Sequence, residues 1–216
     1  MIADDELKID VEMELLWDPS VDEAHIGVAV TDGIIALLGR VHSLAEKQAV
    51  VAAALRVKGV RGVADELEVR YPSQKKTGDE EIAKRVRAIF DWDPSVPDEG
   101  IEVVIDNGWV HLRGTVEWRY QADAAVKAAS RISGVVSVLN DIKVRERPTP
   151  ADVRERIAAA FRRHASLDAD KISIVLKGSE VTLGGRVPTW WEREVAERAA
   201  WAAPGVSEIR DNIVVG

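Results

Sequence analysis

Chemistry in this chain would have to come from four histidines, 37 carboxylates or seven tryptophans, because it has no cysteine. His25, His42, His111 and His164 show no H-x-x-x-H or H-E-x-x-H spacing. Zinc needs three or four converging ligands, so the histidines read as surface or strand-face residues. Asp32, Asp79 and Asp106 fall where turn and capping chemistry accounts for them. No G-x-S-x-G, Walker or G-x-G-x-x-G signature occurs, and Gly184-Gly185 ends a strand-like run instead of opening a phosphate loop. The expectation is a protein that is not an enzyme and takes no cofactor and no metal.

The tryptophans are more informative, seven against two Phe and two Tyr. Trp118, Arg119 and Tyr120 crowd one loop–helix junction, and Arg186, Trp190, Trp191 and Arg193 crowd another. Aromatic residues so placed meet a lipid headgroup layer, anchor a protein interface, or fill the gap between neighbouring domains. Trp118, Tyr120, Trp190, Trp191, Arg119 and Arg186 are therefore the candidate lipid or partner contacts. Trp17 and Trp92 read as caps over a core, and Trp201 as part of one.

The elements that must position these residues are written three times. Aligning Leu7 with Ile82 and Val153 holds register at spacings of 75 and then 71 residues. Each copy opens on an apolar i, i+4, i+8 stripe, which is one helix face: Leu7, Val11, Leu15; Ile82, Val86, Phe90; Val153, Ile157, Phe161. Thr77-Gly-Asp-Glu80 fits a capping box and Thr149-Pro150 an N-cap with Pro at N1. Trp17-Asp-Pro and Trp92-Asp-Pro stop the first two of these helices, since Pro disfavours helix before it.

Two period-2 runs follow across Asp32-Gly33 and Asn107-Gly108, the strongest short-range hairpin signal. Copy three carries Lys177-Gly178-Ser179 instead, which predicts a different turn. An Ala-rich helix comes next (Ala45, Ala49, Ala52, Ala53 in copy one), able to lie close to a sheet. Gly39, Gly114 and Gly185 in the second strand would mark that close approach. Gly59, Gly134 and Gly205 fit a left-handed helix C′ residue. A last apolar strand closes each copy.

The fold class is α+β: three tandem α-β-β-α-β domains, 1–72, 77–146 and 149–216, each a three-stranded mixed sheet with two helices on one face. Linkers this short require neighbouring domains to touch or nearly touch.

The pattern resembles the BON domain, named for bacterial osmotically inducible and nodulation proteins and also called transport-associated. The resemblance rests on Gly33 and Gly108, Gly39, Gly114 and Gly185, and the Gly-Val pairs at Gly59, Gly134 and Gly205. The closing Asn140-Asp-Ile-Lys-Val and Asp211-Asn-Ile-Val-Val segments and the stretch Gly114-Thr-Val-Glu-Trp-Arg-Tyr-Gln121 extend it. It implies a non-catalytic binding protein that contacts phospholipid headgroups or a membrane-associated partner, in osmotic or envelope stress. The alternative is a soluble protein–protein scaffold with no lipid binding.

Composition bounds these readings. At 46% hydrophobic and 31% charged residues the chain is globular and not disordered. Net charge is −8, divided as −7 over 1–72, −1 over 73–147 and 0 over 148–216. A nucleic-acid binder carries a basic footprint, which no domain has, so nucleic acid is not an expected partner. No stretch is long enough to span a membrane, and the acidic N-terminus lacks the features of a secretory signal. The expected place is the cytoplasm, at most peripheral to the membrane.

One asymmetry remains. The sheet face away from the helices reads polar in copy three and mixed in copy two, but apolar in copy one, with Ala29, Ile34, Ala36 and Leu38. A solvated face should be polar. That face is therefore expected to be covered by another domain or by a second subunit in a homo-oligomer, leaving the acidic first helix (Asp10, Glu12, Glu14) as the solvated side.

Overall fold

The computed structural model describes residues 3–71, 77–97, 99–146, 152–164 and 167–216. Each copy becomes one module. Module one is α1 (Asp4–Trp17), β1 (Ile26–Thr31), β2 (Ile34–Val41), α2 (Leu44–Arg56) and β3 (Gly62–Val69). Module two is α3 (Asp79–Trp92), β4 (Ile101–Asp106), β5 (Trp109–Val116), α4 (Arg119–Ser130) and β6 (Ser137–Val144). Module three is α5 (Val153–Arg163), β7 (Ile172–Lys177), β8 (Glu180–Val187), α6 (Trp190–Trp201) and β9 (Glu208–Val215).

In every module the hairpin is antiparallel and the strand after the second helix joins its middle strand in parallel, giving the orders β1-β2-β3, β4-β5-β6 and β7-β8-β9. A helical crossover is what a parallel pair requires. The three helix stripes are all buried, and each packs with its own sheet into a separate core.

The hairpin turns follow their sequences. Asp32 and Gly33, and Asn107 and Gly108, all have positive φ, which is the two-residue I′ turn. In module three only Gly178 of the Gly178-Ser179 pair is positive, as in II′. The first two turns are also tied to their modules. The Asp4 carboxylate accepts from the Asp32 and Gly33 N–H groups at 2.8 and 3.1 Å. Asp79 accepts from those of Asn107 and Gly108 at 2.8 and 2.9 Å.

Four local expectations are corrected. The strand-two glycines do not make room for a helix. With φ of +126°, +136° and +118°, Gly39, Gly114 and Gly185 lie against the carbonyl oxygens of His25, Gly100 and Lys171, where the chain enters the neighbouring strand and a Cβ would overlap. Gly59, Gly134 and Gly205 do have positive φ, but they are not C′ residues. They are third in turns closed by Val60 N–H to Val57, Val135 to Ile132 and Val206 to Ala203, a position that needs φ above zero in a type II turn. The N-cap of α3 is Gly78 and not Thr77, and Gly78 supplies no side chain. The inner face of α2 is Val50, Ala53 and Ala54, while Ala52 is exposed. Thr149-Pro150 lies outside the described residues.

Candidate functional site

The three modules meet through one helix position. Leu44, Arg119 and Trp190 are aligned, each the first residue of its module's second helix, and each reaches the next module. Leu44 is buried in the core of module two. The Arg119 guanidinium lies 4.9 Å from the centre of the Trp201 ring in module three. Trp190 packs against the core of module one.

The receiving positions align as well. Trp201 corresponds to Ser130, which accepts a hydrogen bond from Gln48 Nε2 at 3.3 Å, and to Leu55, which shares a cleft wall with Trp190. The joints therefore run from one to two, two to three, and three back to one. Tyr71 reinforces the first, its hydroxyl donating to the Val135 carbonyl at 2.5 Å. Burial holds the Tyr71 phenol above its ordinary pKa, against main-chain hydrogen bonds that lower it.

A cleft of about 1060 Å³ opens where the modules meet, at the upper limit of ligand pockets. Its wall is apolar at Leu44, Val51, Leu55, Trp109, Trp190 and Trp191. The three cations in the lining are already engaged. Lys47 pairs with Asp65 at 3.1 Å, Arg56 with Glu14 and Asp18 at 2.8 and 3.1 Å, and Arg193 with Asp211 at 2.6 Å. The Trp190 Nε1–H is buried against the joint with no hydrogen-bond partner.

The six candidate contacts do not form one surface. Arg119 and Trp190 are joint residues, and Arg119 also binds Asp123 at 2.8 Å. Trp118 is half-buried, whereas Tyr120, Arg186 and Trp191 are exposed. Of the six, only Trp190 and Trp191 line the cleft. Arg193 and Arg198 lie over the rings of Trp190 and Trp191, at 4.9 and 5.1 Å.

Three other expectations are redrawn. Trp17 and Trp92 are not caps over a core: they are 77% and 87% exposed at the ends of their helices. Trp201 does pack against the core of module three but is only partly buried, as the joint requires. Among the described residues no other module lies over the face of Ala29, Ile34, Ala36 and Leu38, and Ile34 and Leu38 are 51% and 41% exposed, which leaves a second subunit as the expected cover. Ile9, Met13 and Leu16 on α1 are also exposed, at an i, i+4, i+7 spacing that the sequence carries.

His111 lies on the strand face, paired with Asp141 at 2.5 Å. Among the described residues no group of three or more His, Asp or Glu is gathered as a metal would need. No helix among them is long and apolar enough to cross a membrane.

The family model for the BON domain matches residues 3–71, 78–146 and 150–216, nearly the whole chain. The chain belongs to the BON domain family. Its three BON modules are similar to Osmotically-inducible protein Y of Escherichia coli, 31% identical over 62% of this chain and 69% of that protein. They are similar also to outer membrane lipoprotein DolP of Haemophilus influenzae, 30% identical over 66% and 75%. A solved structure of CdsD, a structural protein of the type III secretion system of Chlamydia trachomatis, aligns over 96% of this chain and 91% of its own. With 17% identity and a TM-score of 0.27 it carries no argument about these BON modules.

Proposed function

We propose that this chain is a non-catalytic binding protein that holds three BON modules as one platform and docks a protein partner, in the osmotic- or envelope-stress setting that the names of its relatives describe for them. The observation that carries this reading is the pairing of each cation in the cleft wall with a carboxylate. An anionic headgroup entering there would have to displace a carboxylate from Lys47, Arg56 or Arg193. The joint roles of Arg119 and Trp190 support it too, because they remove two of the residues best suited to phosphate and headgroup contact. Part of the apolar surface that stays exposed, Ile9, Met13, Leu16, Ile34 and Leu38, lies on the most acidic module, a composition that suits a protein partner, including one held at a membrane.

A second reading, phospholipid contact, is favoured by Trp17 and Trp92, which project at helix ends as interfacial aromatics do, and by the exposed Arg162 and Arg163 of α5. Co-sedimentation with anionic and with neutral vesicles separates the two. The expected result is no uptake by either at physiological salt. Saturable uptake by anionic vesicles, reduced by Trp92→Ala, would overturn the protein-docking reading.

A further inference from the structure

The outer side of α1 is apolar where its two counterparts are not. Ile9, Met13, Leu16 and Trp17 sit at i, i+4, i+7 and i+8, and all four are exposed. Leu7, Val11 and Leu15 are buried on the opposite side, so α1 is apolar on both faces. The aligned positions are Lys84, Ala88, Asp91 and Trp92 in α3, and Glu155, Ala159, Arg162 and Arg163 in α5. The same site in the same fold thus carries charged residues twice, two in α3 and three in α5, and none in α1. A surface helix normally confines its apolar residues to one stripe. The departure in α1 is the mark of an interface, and it replaces the expectation that this helix simply faces water.

The charge around the stripe says what fits it. At 100° per residue, Asp5 and Glu12 flank the stripe on one side and Asp10 on the other, and Glu6 stands in line with it at its N-terminal end. The single base of the helix, Lys8, faces Glu12 at 3.7 Å. Asp5, Glu6 and Asp10 have no ion-pair partner among the described residues. Such a surface repels an anionic bilayer, and it repels a second copy of module one, whose net charge is −7. It complements a helix whose apolar residues are bordered by Lys and Arg, because opposed potentials steer and align two partners. The stripe runs two turns, about 12 Å, the span of i, i+3, i+4 and i+7 anchors on a docking helix.

We propose that the outer face of α1 is the docking site for a basic amphipathic helix of a partner protein. This deepens the protein-docking reading above and rests on it. The test uses the full chain and a labelled 18-residue Leu/Lys amphipathic peptide, with a Leu/Glu peptide of the same pattern as control, read by fluorescence anisotropy. The Leu/Lys peptide is expected to bind and the Leu/Glu peptide not to. Met13→Glu and Leu16→Glu should each weaken binding at least about tenfold, since burying an unpaired charge costs more than the lost contact alone. Binding by charge alone would instead be unchanged or strengthened by these added carboxylates, which overturns the proposal. Ala88→Glu, at the position of Met13 in module two, should leave affinity unchanged. Glu6→Lys with Asp10→Lys should slow association and flatten its salt dependence.

Absence of Leu/Lys binding while vesicles are also ignored would overturn this site and leave the protein-docking reading standing. Uptake of anionic vesicles that is lost in Leu16→Glu would overturn both. A doubling of mass with concentration, abolished by Leu16→Glu, would give the site to a second copy and overturn the basic-helix proposal.

Discussion

At the residue scale the modules are secured by small polar devices. Asp18 is the clearest case, just past the end of α1. Its carboxylate accepts from the Ser20 hydroxyl and main-chain N–H at 2.6 and 3.1 Å, and faces Arg56 at 3.1 Å. The Ser20 hydrogen bonds, with Arg56 behind them, hold its pKa below the ordinary carboxyl value, against the burial that raises it. A depressed carboxyl contributes stability above its unfolded pKa, and that stability is lost as pH falls through the folded value. Asp18→Asn should therefore cost about 1 kcal/mol at neutral pH. In thermal melts stepped toward acid, the gap between variant and parent should close. A gap of constant size would show that the charge at Asp18 does not matter.

At the element scale the second helices do two jobs, lining a core and forming the joints. Trp190 separates packing from polarity. Trp190→Ala empties a large site at the joint between modules three and one and should destabilise by about 3–5 kcal/mol in urea unfolding. Trp190→Phe should cost much less, because the indole N–H it removes has no partner to lose. Equal losses from the two would mean that the ring's shape, and not its burial, sets the joint.

How far these elements were legible follows from what each residue answers to. Helix stripes such as Ile82, Val86 and Phe90 and the turn at Asn107-Gly108 answer to their own module, so period and turn chemistry revealed them. Gly114 was legible as special but not as to why, since its neighbour is a carbonyl fourteen residues earlier and not a helix. Leu44 looked like one more helix residue because its contact lies in another module, beyond any local pattern. Arg119 and Trp190 drew attention for their chemistry, and comparing them with the aligned Leu44 was the signal that could have revealed the joints. Trp17 and Trp92 stand out of the core, although a recurring aromatic suggests one, because each follows a buried residue, Leu15 or Phe90, by two positions and so falls on the outer side of its helix.

At the scale of the whole molecule, two joints would suffice to string three modules together, and the third brings the last module back onto the first. The contact between α2 and α6 is therefore between the two ends of the chain, although no short linker enforces it. Each small BON module would be marginal alone, and here each has two neighbours.

That closure gives the polypeptide a tolerance that a simple string would lack. A backbone nick introduced by an engineered protease site within 72–76 should free nothing. The first fragment stays gripped from both sides, by Leu44 and Tyr71 at one flank and by Trp190 at the other, and the two pieces should co-elute in size-exclusion chromatography. Pairing the nick with Trp190→Ala removes one grip and should let them part on dilution. Cleavage in such an assembly acts as a latch that needs two releases.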